Sequence, residues 1–208
     1  KNTNRYANRI FEAEASQCDS GMERTMKLHL GCGCRDFGDD WVHIDGGDYD
    51  HLNYHDITKL PYKDESVDVI YASHVLEYFD RTEAKAVLQE WIRVLKKGGI
   101  LRIAVPDFEA MALMYVMTRK TIEQHRLASF IGPLYGKMQM GNKTIYHKTA
   151  YDFSDLSLIL KCLGIESVKR YDWKETEHAE FDDHSQAYIP HMDKENGILI
   201  SLNIEGVK

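Results

Sequence analysis

Lys27-Leu28-His29-Leu30-Gly31-Cys32-Gly33, followed by Trp41-Val42-His43-Ile44-Asp45, decides the reading of this chain. One apolar strand runs into Gly-x-Gly and a second ends in an acid, a pair that frames a nucleotide pocket in a doubly wound sheet. The glycines let backbone approach the ligand, and the acid accepts from ribose hydroxyls. A dinucleotide fingerprint would continue Gly-x-Gly-x-x-Gly, with its acid about 20 residues further on. Here Asp36 holds the place of the third glycine, and Asp45 stands only twelve residues past Gly33. A ligand without a pyrophosphate fits this spacing better.

Working outward, the order of elements is that of a mostly parallel sheet. Residues 26 to 30 and 41 to 45 are the first two strands. The seven residues between Gly33 and Trp41 are too few for a crossover helix, so that helix is absent or a single turn. A short third strand ends near Asp56, and the Val-Asp-Val-Ile-Tyr run within 67 to 73 is a central strand. Asp80 and Glu83 form a capping box before Ala84, Val87, Leu88, Trp91, Val94 and Leu95, which recur at helical spacing; Gly98 supplies the stop. Residues 100 to 105 make the next strand. Met111, Leu113, Met114, Val116 and Met117 suggest a helix, while Gly132-Pro133-Leu134-Tyr135-Gly136 and Gly141-Asn142 read as a loop-rich connection. A helix over 152 to 163 and strands over 165 to 171 and 198 to 205 complete the pattern. Tyr6, Ile10 and Phe11 suggest a leading helix over residues 4 to 16.

The glycine loop and Asp45, then Asp56-Ile57 before Leu60-Pro61-Tyr62, then Ser73-His74-Val75-Leu76-Glu77-Tyr78, then Gly98-Gly99 with Pro106-Asp107 follow one another in order. At these residues, spanning about 26 to 107, the chain resembles the class I S-adenosylmethionine-dependent methyltransferases, especially the small bacterial ones. A fainter likeness to the same subgroup continues in His147, in Phe181-Asp182-Asp183-His184-Ser185 and in Ser201-Leu202-Asn203. The resemblance implies a Rossmann-like, doubly wound α/β fold with a mostly parallel seven-stranded sheet, here with a shortened first crossover helix and an inserted lid. It implies one methyltransferase domain over 1–208: an N-terminal helical cover (1–25), a cofactor-binding core (26–107), a lid insertion (108–150) and C-terminal helix and strands (151–208).

The same resemblance assigns S-adenosyl-L-methionine as cofactor, with Gly31, Cys32, Gly33, Asp45, Gly46, Asp56, Ile57, Ser73 and His74 around it. Gly31 and Gly33 would turn their amides toward the methionine carboxylate, Asp45 would take the ribose hydroxyls and Asp56 the adenine amino group. The competing readings are a turn at Asp45 and a turn cap at Asp56. Ser73 and His74 end the central strand, where such sheets bind ligands. A hydroxyl acceptor needs a base, and histidine titrates in the right range; His74, His147 and His184 are the candidates. Tyr78 stands where the related family commonly has histidine. Asp107 binds substrate or caps the following helix. The absence of an Asn/Asp-Pro-Pro-Tyr/Phe tetrapeptide argues against amide or base nitrogen as acceptor.

The formal charge of −7 lacks the basic footprint of a nucleic-acid binder, which leaves a small-molecule acceptor. A chain of 208 residues buries a core without staples, and its four cysteines include no Cys-x-x-Cys pair, so a reducing cytoplasm is expected. No apolar run reaches the roughly 20 residues of a membrane span. No signal-peptide pattern opens the chain, although the missing initiator Met suggests trimming. His147, His178, His184 and His191 lack rigid metal-ligand spacing and read as solvated surface residues, and no metal is expected. The oligomeric state is open. The expected activity is methyl transfer to a small polar acceptor, such as a sugar or nucleotide-sugar hydroxyl. Its rivals are a non-catalytic S-adenosylmethionine-binding partner subunit and a nicotinamide oxidoreductase.

Overall fold

Period-two alternation in three short strands sets two different faces on the sheet. In the computed structural model, which describes residues 24–118 and 127–208, β1 (Lys27–Leu30) pairs in parallel with β2 (Trp41–Ile44) and β3 (Val67–Ser73). β4 (Leu95–Pro106) runs parallel to β3. Beyond the hairpin strands β5 (Met138–Met140) and β6 (Lys143–Ile145), β7 (Glu166–Arg170) lies at the sheet edge. The short β8 (Tyr188–Ile189) and β9 (Ile198–Leu199) pair with each other, and β10 (Ser201–Val207) inserts antiparallel between β4 and β7. The sheet order is β2-β1-β3-β4-β10-β7.

Six strands, not seven, therefore make the sheet among the described residues. The strand expected near Asp56 is reduced to a single parallel bridge between Ile44 and Tyr54. Side-chain hydrogen bonding prevents more: the Asn53 side chain accepts from the His43 amide and the Asp56 side chain closes a turn on Thr58. The expected strand over 198 to 205 also divides, β9 turning away to β8 before β10 joins the sheet.

Leu28, Leu30, Ile44, Ile70 and Ala72 face a core closed by α1 (Arg81–Val94) and by the helix over Phe153–Cys162. The capping box holds: Asp80 accepts from the Thr82 and Glu83 amides, and Glu83 accepts from the Asp80 amide. Trp91, fully buried, donates its indole N–H to the Ile57 carbonyl at 2.8 Å. Gly98 is not the helix stop. Leu95 is already extended, and Lys208 Nζ satisfies the terminal carbonyls of Ile92 and Leu95, whereas Gly98 turns with φ +80° inside a bulge of β4.

The opposite face carries His29, Trp41, His43, Val69 and Tyr71. The connection between β1 and β2 contains no helix, and aromatic side chains do the covering instead. Phe37 stacks on His29 at 4.0 Å between ring centroids and meets Phe181 at 4.6 Å, while His178 lies 4.0 Å from Tyr71. His178 is thus a core residue, and the solvated surface expected for it is corrected.

After β4 come α2 (Phe108–Thr118) and α3 (Leu127–Tyr135), then the β5–β6 hairpin turning at Gly141-Asn142. Gly132 and Pro133, expected in a loop, lie within α3. Met111, Met114 and Phe130 pack with Ile189 and Ile200, so this insertion is anchored on the C-terminal segment. The fourth helix, α4 (Phe153–Cys162), matches the expected span. The leading helix over residues 4 to 16 lies outside the described residues. No described helix is long and apolar enough to cross a membrane.

Candidate active site

The carboxyl ends of β1, β2 and β3 converge on the glycine loop, and Asp45 ties it together. One Asp45 oxygen accepts from the Gly33 amide at 2.8 Å and the other from the Gly47 amide at 2.6 Å. The turn reading of Asp45 is therefore part of its geometry. Each carboxylate oxygen retains a second lone pair, so hydroxyl donors can still bind. Gly31 (φ +67°) cannot be replaced cheaply, because a Cβ there would stand 2.5 Å from Val75. Gly31→Ala is expected to lower the free energy of urea unfolding by about 2 kcal/mol. Gly33→Ala is expected to cost about half as much, since its added Cβ would meet only Arg35, at 4.0 Å.

Cys32 is buried, and burial pushes its thiol up to about 12, so it serves as a small loop residue and not a nucleophile. Gly46 is exposed but lies under the insertion: a Cβ on it would meet Met140 Sδ of the hairpin at 3.4 Å. Asp56 is exposed, and one of its oxygens accepts from both the amide and the hydroxyl of Thr58, which lowers its pKa. The Ile57 carbonyl is taken by Trp91, leaving the partly buried side chain as its apolar face. Asp107 caps α2 through the Ala110 amide and pairs with Arg170 at 2.8 Å. The capping reading of Asp107 holds.

At the end of β3, Ser73 is buried with its hydroxyl unpartnered among the described residues. His74 adopts φ +53°, a left-handed conformation uncommon outside glycine. Its Nε2 lies 3.1 Å from Ser201 Oγ and its Nδ1 3.4 Å from Glu77 Oε1. His147, following the hairpin, places Nδ1 3.0 Å from the Pro133 carbonyl and Nε2 3.6 Å from the same Glu77 oxygen. Tyr78 donates to the Gly136 carbonyl at 3.0 Å and its ring meets His147 edge-on, so it pins the insertion.

His184 arrives from the far end of the chain. Asp183 caps the 3-10 turn His184–Gln186 by accepting from Ser185, and its other oxygen accepts from the Tyr71 hydroxyl of β3 at 2.5 Å. A shallow cleft is lined by His29, Gly31, Cys32, Arg35, Ser73, Asp183 and His184. The His184 ring stands 5.3 Å from that of His74. Desolvation by its neighbours, joined by the positive charge of Arg35, lowers its pKa, although the residue keeps an exposed edge. All three candidate histidines thus lie in one region. Among the described residues, no group of three or more His, Cys, Asp or Glu is arranged to hold a metal ion.

Glu77, Tyr71, Asp183, Ser201 and Asn203 belong to this site without having been assigned a role. The available signal was alternation: Ser201 and Asn203 share one side of a strand otherwise apolar at Leu202 and Ile204.

Residues 44–103 match a family described as a methyltransferase domain. No curated protein matches the chain. Among solved structures, a SAM dependent methyltransferase from Archaeoglobus fulgidus is 15% identical with a TM-score of 0.52, over 98% of this chain and 92% of that one. The PH0226 protein from Pyrococcus horikoshii OT3 is 17% identical with a TM-score of 0.51, over 100% of this chain and 93% of that one. At these identities the likeness is one of fold. The domain match favours methyl transfer over the oxidoreductase and partner-subunit readings. Over residues 44–103 the chain thus matches a methyltransferase domain, and its fold is that of a solved SAM dependent methyltransferase.

Proposed function

We propose that the chain, as one domain, methylates a small polar acceptor, a sugar or nucleotide-sugar hydroxyl being the class best suited to its site. Gly31, Cys32, Gly33, Asp45, Gly46, Asp56, Ile57, Ser73 and His74 form the cofactor side in this reading. The left-handed turn at Gly31 and Gly33 and the unpartnered buried Ser73 hydroxyl suit a ligand with a carboxylate, an amine and ribose hydroxyls. When bound, S-adenosylmethionine supplies an electrophilic sulfonium methyl.

The observation that carries the catalytic part is that His184 shares a cleft with the glycine loop while its ring nitrogens have no hydrogen-bond partner among the described residues. His184 would take the proton of the acceptor hydroxyl on a ring nitrogen, with the methyl group passing from the sulfonium sulfur to that oxygen. His74 and His147 are each committed to a neighbouring oxygen, which makes them holders of the site. The charge of −7 supports a small molecule over nucleic acid, and the free thiols of Cys32, Cys34 and Cys162 support a reducing cytoplasm.

Calorimetry tests the cofactor: S-adenosylhomocysteine is expected to bind at micromolar levels with no detectable NAD binding, because the loop lacks the third glycine of a pyrophosphate site. Tighter binding of NAD would overturn the reading. Acceptors are then screened from fractionated cell extract by the formation of S-adenosylhomocysteine. Turnover confined to macromolecular fractions would reject a small acceptor.

A further inference from the structure

Glu77 is fully buried on the 3-10 turn Leu76–Tyr78, and both its carboxyl oxygens lack a hydrogen-bond partner among the described residues. A lone buried carboxylate would be costly, so its surroundings must say in which form it exists. Two imidazoles face the same oxygen, His74 Nδ1 at 3.4 Å and His147 Nε2 at 3.6 Å.

Hydrogen-bond accounting assigns the protons on both rings. The Asn203 amide group donates to the Ser185 carbonyl at 2.8 Å, so its oxygen is the acceptor for the Ser201 hydroxyl at 2.9 Å. With its one proton spent, Ser201 Oγ accepts from His74 Nε2–H, and His74 Nδ1 is left bare toward Glu77. The Pro133 carbonyl can only accept, so His147 donates through Nδ1–H and leaves Nε2 bare toward Glu77. Two lone pairs therefore converge on one carboxyl oxygen. Between three such acceptors a single proton is required.

We propose that Glu77 is a positioning residue of the methyltransferase site: it carries one proton shared between His74 Nδ1 and His147 Nε2, joining the strand end to the insertion. The proposal rests on the catalytic reading of this site given above. The proton moves from Glu77 Oε1 to either nitrogen, breaking O–H as N–H forms, with the net charge of the three groups unchanged. A small side-chain adjustment closes either gap to a hydrogen bond. The backbone agrees, since the Glu77 carbonyl also accepts from the Lys148 and Thr149 amides beside His147. Gly136 makes the approach possible, because a Cβ there would collide with the His147 ring.

Burial raises the Glu77 pKa to about 8, so the acid holds its proton at neutral pH. The other groups bearing on the cluster are Tyr78 on the same turn, Tyr151 near α4, His184, and Arg35 of the glycine loop, which acts on His74. Above pH 8 a carboxylate would face two lone pairs, and the contact to His147 would loosen.

Long-range proton–nitrogen NMR on the whole protein reads the tautomers without any acceptor, so this test is separate from the activity itself. Expected are an Nε2–H tautomer at His74, an Nδ1–H tautomer at His147, and a joint shift of both rings with one midpoint near pH 8. Glu77→Gln, which keeps a donor but cannot titrate, is expected to retain both tautomers and lose that step, along with the alkaline limb of the turnover profile. In Glu77→Ala the His147 signal should change most. Opposite tautomers in the unaltered protein, or the same step near pH 8 in Glu77→Gln, would overturn the proposal. So would zinc titration moving both rings with metal-ligand shifts. Should neither variant fold, the tautomers and midpoint of the unaltered protein decide alone.

Discussion

Asp45→Ala is expected to weaken binding of S-adenosylhomocysteine by about 30- to 1,000-fold, or roughly 2 to 4 kcal/mol. Two losses add. The carboxylate proposed to accept from the ribose hydroxyls disappears, and so does the brace that holds the Gly33 and Gly47 amides at 2.8 and 2.6 Å. The second loss distinguishes this site from a simple ligand contact, because the glycine loop itself becomes freer when its acceptor is gone. Asp45→Asn separates the two: its single carbonyl can keep one amide while the charge is lost, so an intermediate affinity is expected. The half-exposed position of Asp45, outside the main hydrophobic cluster, leaves the fold intact. Isothermal calorimetry on folded variants provides the check. An unchanged dissociation constant in Asp45→Ala would place the ribose elsewhere.

His184→Ala is expected to reduce turnover by about 10²- to 10⁴-fold while cofactor affinity changes little, the signature of a lost general base. Two observations single it out from His74 and His147. Its ring faces the cleft beside Gly31, Cys32 and Ser73, and among the described residues it has no hydrogen-bond partner to give up. Its pKa lies below the usual 6.5 because desolvation by its neighbours and the charge of Arg35 disfavour the cation. The neutral ring is the active form. Turnover should therefore rise with pH through that lowered value and level off before neutrality, and the variant should lack this acidic limb. Steady-state kinetics over pH 5 to 9 with an acceptor from the screen would show it. A raised KM with near-native turnover would reduce His184 to an acceptor contact. His74→Ala and His147→Ala, whose rings hold Ser201 and α3, are expected to disturb the site more broadly, weakening stability and cofactor binding along with rate.

Some of this protein was decided within short stretches of chain. The strands over 27–30, 41–44 and 67–73, the capping box at Asp80 and Glu83, and the missing crossover helix all depend on interactions a few residues apart. Alternation chooses a strand, a side-chain oxygen starts a helix, and seven residues cannot contain a helix with its turns. The positions of Gly31, Gly33 and Asp45 were legible for the same reason, since a tight turn after a strand writes its own requirements.

Other features depended on residues far apart in sequence. Pro133 argued for a loop, yet α3 runs through it because His147 supplies donors to the carbonyls of Pro133 and Tyr135, groups a helix end leaves unsatisfied. The third strand failed because the Asn53 and Asp56 side chains took backbone groups a ladder would have used. His178 read as a surface residue until Phe37 and Tyr71 enclosed it. Glu77 stood inside a motif without a role, and the one proposed for it depends on the insertion bringing His147 to its carboxyl and on β10 bringing Ser201 to His74. Sequence alone determined the strands over 27–30, 41–44 and 67–73, the capped helix behind them and the turn that follows the first strand, because local sterics and alternation carry that information. Only the tertiary structure decided which histidines are held and which is free, because a proton's place depends on what the other nitrogen meets across the fold.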